Sequence, residues 1–125
     1  MKYLAGLLGV ALCLVGQPAV AQPAVNHVVA IAKPSAYDGR CPASIEFIAT
    51  IFVNHPAKVS YRWERSDRAT GPVQTVQIRS GGQGVRTQWH LGNPRGEVFH
   101  GSETLHVLSP GDAFSNPAEF TLVCR

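Results

Sequence analysis

The chain has 125 residues, with 11 lysines and arginines against 8 aspartates and glutamates, for a formal charge of +3. That length holds one domain and not two, and a mild basic excess without any basic run argues against a nucleic-acid footprint. Beyond the N-terminal apolar run, no stretch is long and apolar enough to cross a bilayer.

The chain opens with Lys2, an apolar run over residues 3–16, then Gln17, Pro18 and the small-residue triplet Ala19, Val20, Ala21. A charged start, an apolar segment too short for a membrane span and an A-x-A site read as a secretory signal cut after Ala21. Residues 1–21 are therefore expected to be a signal peptide and 22–125 the mature domain, periplasmic or secreted, with no membrane insertion once the signal is removed. A lipid anchor would need small residues just before a cysteine, whereas Leu12 precedes Cys13 in the middle of the apolar run.

The mature part keeps Cys41 and Cys124, which in an oxidising compartment are expected to pair. Closing so long a loop constrains the unfolded chain by roughly 4 to 5 kcal/mol on the chain-entropy account. Free thiols working in redox or metal chemistry would favour close spacing such as C-x-x-C, which is absent.

No segment of the mature chain repeats apolar residues at helical spacing over three turns, and glycines and prolines punctuate it throughout. Period-two alternation recurs instead. An early strand is predicted near residues 25–32. The clearest lies at 44–53, where Ile45, Phe47, Ala49, Ile51 and Val53 share one face. Asn54, His55 and Pro56 then turn the chain into a strand alternating Val59, Tyr61 and Trp63 with Ser60, Arg62 and Glu64, as a hairpin or as a crossing between sheets. Residues 66–72 read as a loop and 73–79 as a strand with Val76 and Ile78 on one side. The run Ser80, Gly81, Gly82, Gln83, Gly84 suits a hairpin turn, with Val85, Thr87, Trp89 and Leu91 as its return. After a loop at 92–96 comes a strand over 98–108 centred on Leu105 and Val107. Ser109, Pro110, Gly111 and Asp112 form a turn, and Ala118, Phe120, Leu122 and Cys124 share a face of the last strand. About seven strands in all predict an all-β sandwich. Parity places Cys41 with Ile45 and Cys124 with Phe120, so both sulfurs can face one core.

The order Cys41-Pro42, an apolar strand, Val59-Ser60-Tyr61-Arg62-Trp63, the turn Ser66-Asp67, Trp89, and a closing strand from Phe120 to Cys124 resembles immunoglobulin-like domains of secreted bacterial proteins. The resemblance spans most of the mature chain and implies a two-sheet sandwich with binding loops at its ends. It departs from antibody-type domains at the second cysteine, which stands on the terminal strand with Leu122 two positions before it instead of a tyrosine. Such a fold hosts many roles, so function has to come from the site.

Chemistry is sparse. Asp38, Asp67 and Asp112 lie among turn residues, where such side chains bond to nearby backbone. Glu46, Glu64, Glu97, Glu103 and Glu119 sit in or beside strands with outward or ambiguous parity, and no converging carboxylate pair or G-x-S-x-G is evident. His27, His55, His90, His100 and His106 form no H-x-H or H-E-x-x-H. His100 and His106 share parity, but six strand residues separate them by roughly 20 Å. The only methionine is Met1, which disfavours copper carriage by thioether. Trp63 and Trp89 read as core residues rather than a sugar platform. Arg62, Glu64, Gln77, Arg79, Arg86, Gln88 and His90 are expected to point outward, on what would be one polar, slightly basic surface. The glycine-rich turn at 80–84 lacks the lysine and following helix of a phosphate loop. The N-P-T-T-G and R-P-W motifs of immunoglobulin-like cysteine-protease inhibitors are absent too.

No catalytic residue, metal ligand or cofactor is therefore expected. The leading expectation is a noncatalytic recognition module whose loops at 66–72, 80–84 and 92–96 contact a protein or cell-envelope component. The alternative is an inhibitor or accessory subunit of an envelope enzyme, one loop entering its active cleft. Phe52, outward by parity, hints at a contact surface, and an exposed edge strand offers a second route to a partner by strand addition.

Overall fold

The computed structural model describes residue 9 and residues 22–93 and 96–125. Apart from Gly9, the segment read as an export signal lies outside the described residues. Nine strands follow one another: β1 (Val25–Lys33), β2 (Ala36–Gly39), β3 (Ala43–Val53), β4 (Ala57–Arg65), β5 (Gln74–Ile78), β6 (Gly82–Leu91), β7 (Val98–Ser109), β8 (Ala113–Phe114) and β9 (Ala118–Cys124). The described residues contain no helix.

The strands form two sheets, one in the order β1-β3-β6 and the other β2-β9-β7-β4-β5, with the short β8 also on β7. All pairs are antiparallel except β2 with β9. Alternation decides which side chains meet between the sheets. Ile45, Phe47, Ala49 and Ile51 of β3 are wholly buried, as are Val59 of β4, Leu105 and Val107 of β7, and Leu122 of β9. Each such aliphatic or aromatic side chain contributes roughly 1.5 to 3 kcal/mol of burial. Phe47 of one sheet meets Phe120 of the other edge to face, with ring centroids 5.6 Å apart. Gly101 gives Phe120 its room, because a Cβ there would stand 3.0 Å from the Phe120 ring. Trp63 and Trp89 are both buried, in agreement with their parity.

The expected disulfide is present between Cys41 and Cys124, with Cα atoms 5.3 Å apart. It joins the chain where it enters β3 to the end of β9, and so ties the two sheets at one end of the sandwich. A stable bridge of this kind belongs to an oxidising compartment.

Two local expectations need correction, and one open alternative is decided. The glycine-rich turn does not make a hairpin: β5 pairs with β4 and β6 with β3, so residues 79–81 cross between sheets. The apolar faces of β5 and β6 look at each other across the core, which a hairpin of neighbouring strands could not arrange. Of the two alternatives expected for the step from β3 to β4, the crossing between sheets is the one found. The outward polar residues accordingly divide, with Arg62, Glu64 and Gln77 on the five-stranded order and Arg86, Gln88 and His90 on β6, so they do not form one surface.

Candidate functional site

The loops expected to act together are not all together. Leu91 pairs with Ala43 at one end of β3 and Gly82 with Phe52 at the other, which sets the 80–84 segment roughly 30 Å from the 92–96 loop. The 66–72 connection does converge with Gly92, Asn93 and Glu97, at the end that carries the disulfide.

The first of them is a reversal at the tip of β4. Arg68 N–H donates to the Arg65 carbonyl at 3.0 Å and Arg65 N–H to the Ala69 carbonyl at 2.8 Å, with Arg68 at φ 74°. This is a tight turn closed by one left-handed residue. Asp67 completes it by accepting from Ala69 N–H at 3.1 Å and from the Arg65 guanidinium. The Arg65 hydrogen bonds hold the Asp67 carboxyl below its ordinary pKa, helped by the backbone bond from Ala69. Arg65 has the inward parity of Tyr61 and Trp63, so its guanidinium lies over the Trp89 ring, 4.0 Å from the centroid. Trp89 is fixed from beneath by edge contacts with Phe99 and Phe120 at 5.5 and 5.4 Å.

On the opposite side, Asn93 N–H donates to Glu97 Oε2 at 2.9 Å, and Cys124 N–H to the Glu97 carbonyl at 2.8 Å. Gly92 adopts φ 98° and rests on the disulfide. Between the two connections lies a recess of about 250 Å³, walled by Arg65, Asp67, Asn93 and Glu97 and floored by Trp89 and Phe99. It offers charge of both signs at the rim and an aromatic base.

Glu103 is a residue that parity reasoning misplaced. It is only 3% exposed, inward on β7 opposite Arg65, and its Oε2 has no hydrogen-bond partner. Burial pushes its carboxyl up to about 7, the Arg65 charge opposing and the Asp67 charge adding to the rise. The signal was available, since 103 has the odd parity of Leu105 and Val107. The indole Nε1 of Trp63 is also buried without a partner. The interior beneath Arg65 thus holds one unmatched acceptor and one unmatched donor.

The other polar groups serve local order. Asp38, on β2 and not in a turn, takes both ends of the Arg125 guanidinium at 2.6 and 3.0 Å. His106 stands on the outer face of its sheet, with Nδ1 2.8 Å from Glu64 Oε2 and Nε2 2.5 Å from Asp112 Oδ1. Arg62 donates to the same Glu64 oxygen at 2.9 Å. The imidazole lies between the two carboxylates, which therefore do not converge on a shared point, and among the described residues no group of three or more ligands is arranged for a metal. His100 is bonded to Thr121 Oγ1 at 3.0 Å, beside a shallow groove of about 480 Å³ lined by Ser102, Glu119 and Thr121. Phe52 is half-buried under the stacked His27 ring at 4.4 Å.

Comparison of the chain with known protein families, characterised proteins and solved structures found no match.

Proposed function

We propose that the chain is an exported, noncatalytic immunoglobulin-like interaction module that binds a protein or cell-envelope component at the disulfide end of its sandwich. Three strands facing six, with sheet-to-sheet crossings, support the immunoglobulin-like reading. The observation that carries the functional reading is the convergence of two connections around Arg65 and Trp89. There, an arginine is held by turn hydrogen bonds and an aromatic ring by its edge contacts with Phe99 and Phe120 instead of being left to find their positions on binding. A preorganised arginine at the rim of a recess and aromatic rings at its floor are of the side-chain types that concentrate binding energy at interfaces.

The test compares residues 22–125 with two variants in capture experiments on envelope extract, followed by affinity measurement with each recovered protein. One variant carries Arg65→Gln with Asp67→Asn, and the other shortens the 79–81 crossing at the far end. Loss of a partner confined to the first variant is expected. Equal binding by all three forms, or loss only with the second, would overturn the assignment to this end.

A further inference from the structure

Besides the two-residue β8, the sandwich has four strand edges, and three are closed to further pairing. On β1, the edge is met by Asn116, whose amide oxygen accepts from Ala30 N–H at 2.8 Å while its nitrogen donates to the Ala30 carbonyl at 2.9 Å. The strand is also irregular between Val25 and His27. β2 is four residues long and pinned by the Asp38–Arg125 pair. β5 is five residues long and follows Pro72 closely. Short edges, irregularities, prolines and side-chain covers are the usual devices against edge pairing.

β6 carries only one such device, and over a single group: Gln83 Nε2 donates to the Gly84 carbonyl at 3.1 Å, a bond within the strand that pairing would replace. The strand runs ten residues, pairs only with β3, and keeps one unbroken register from Gly82 to Leu91. Apart from the ladder with β3, no backbone hydrogen bond reaches it from another element among the described residues. The two titratable side chains on its outer face turn back over β3 instead of guarding the edge. Arg86 donates to Glu46 Oε1 at 2.8 Å, and His90 Nδ1 lies 2.8 Å from Ser44 Oγ.

We infer that β6 pairs with β6 of a second copy, antiparallel about Thr87, to join two three-stranded sheets into one of six. The strand is complementary to itself in that register. Val85 then faces Trp89 of the other copy, Gly84 faces His90, and Arg86 faces Gln88, so small side chains oppose large ones and no like charges meet. A register centred on Arg86 or Gln88 loses this. The first sets two arginines opposite one another, and the second sets Arg86 against His90. The pairing is isologous and closes at two copies. The C-terminal end of β6 also lines the recess beside Arg65 through Trp89 and Leu91, whereas the pairing is read at Thr87 and Gln88, so its test is separate from that of the function proposed above.

Sedimentation of residues 22–125 across a concentration series is expected to show a monomer–dimer equilibrium. Gln88→Glu, which faces Arg86 twice per dimer, should tighten it by roughly threefold to tenfold, and Gln88→Lys should loosen it by a similar factor. Both substitutions lie on the exposed face and leave the core alone. Thr87→Cys sits on the two-fold axis, where facing Cα atoms lie about 4.5 to 5.5 Å apart and suit a disulfide. Mild oxidation should link it into covalent dimers, whereas Thr75→Cys on β5 should stay monomeric. A monomer at every concentration, insensitivity to the charge at 88, or equal cross-linking at 75 and 87 would overturn the inference. So would a monomer that takes up an extended segment of some other protein along β6.

Discussion

The side-chain amide of Asn116 hydrogen-bonds to both the N–H and the carbonyl of Ala30, 86 residues earlier in the chain. One amide group thereby acts as a single residue of strand against β1, and it does so from the connection between β8 and β9, which belongs to the other sheet. The neighbouring Ser115 hydroxyl accepts from Leu105 N–H at 2.8 Å, so the same connection is fastened at both ends. Asn116→Ala removes two hydrogen bonds and leaves a half-buried backbone pair unmatched, at a cost of about 1 to 3 kcal/mol. Urea unfolding measures the loss. Hydrogen exchange at the Ala30 amide should rise more than exchange at Ala49 in the centre of the same sheet, and equal acceleration at both would show that Asn116 does not seal this edge.

Gly92 is irreplaceable for two separate reasons. Its φ of 98° is left-handed backbone, and a Cβ would stand 2.8 and 2.9 Å from the two disulfide sulfurs and 3.1 Å from Leu122. The sulfurs have little room to retreat, because Cys124 ends β9 and Cys41 stands two residues before β3. Gly92→Ala should cost about 2 to 5 kcal/mol, combining backbone strain with overpacking. Gly111→Ala, where nothing lies within 4 Å of the added carbon, should cost far less. Thermal unfolding of the two variants decides the matter, and similar melting temperatures would show that the loop relaxes away from the bridge.

Much of the sandwich was written in period-two alternation, and for a simple reason: each strand is buried on one face only, so parity alone sorts Phe47, Trp63, Trp89 and Phe120 into the interior. The Cys41–Cys124 pairing, expected from the two cysteines left to an exported chain, agreed with the same parity. What alternation cannot carry is partnership between strands. The glycine-rich segment before β6 looked like a hairpin because flexible turns and sheet crossings use the same residues. β2 and β8 were missed because four and two residues are too few to establish a period. The candidate site was legible in its parts, as a turn at Ser66-Asp67 and an inward Trp89. Its assembly was not, since Arg65, Gly92 and Glu97 meet only through the topology. Glu103 was misread for a different reason, its charge having been allowed to outweigh its position in the alternation.

That buried carboxyl gives the protein a definite pH response. The folded-state value of about 7 lies above the ordinary 4.5, so between those limits the folded protein holds a proton that the unfolded chain releases. Stability therefore falls as pH rises from about 4.5 to 7, by an amount on the order of 3 kcal/mol when complete. Glu103→Gln keeps the shape and abolishes the charge. It should match the parent at pH 4.5 and exceed it in stability at pH 8, as read by denaturant midpoints at the two values. An equal change at both pH values would place the effect in packing and not in ionisation.

His106 adds a second response of the same sign from the outer face. Desolvation lowers its pKa, but the hydrogen bonds to Asp112 and Glu64 outweigh that and hold it above 6.5. Phe114, stacked at 4.0 Å between ring centroids, also favours the cationic ring. A raised histidine stabilises the fold fully below its unfolded value of 6.5, and the benefit is lost as pH climbs through the folded one. Because the ion pairs are partly open to solvent, the contribution is about 1 kcal/mol. Proton NMR of the imidazole should show His106 titrating above 6.5, with Asp112→Asn and Glu64→Gln each bringing it down. His106→Gln should destabilise at pH 5.5 and do little at pH 9, the opposite dependence to that of Glu103→Gln, whose effect grows with pH. Combining the two substitutions separates them, because the residues stand on opposite faces of β7 and their effects should add.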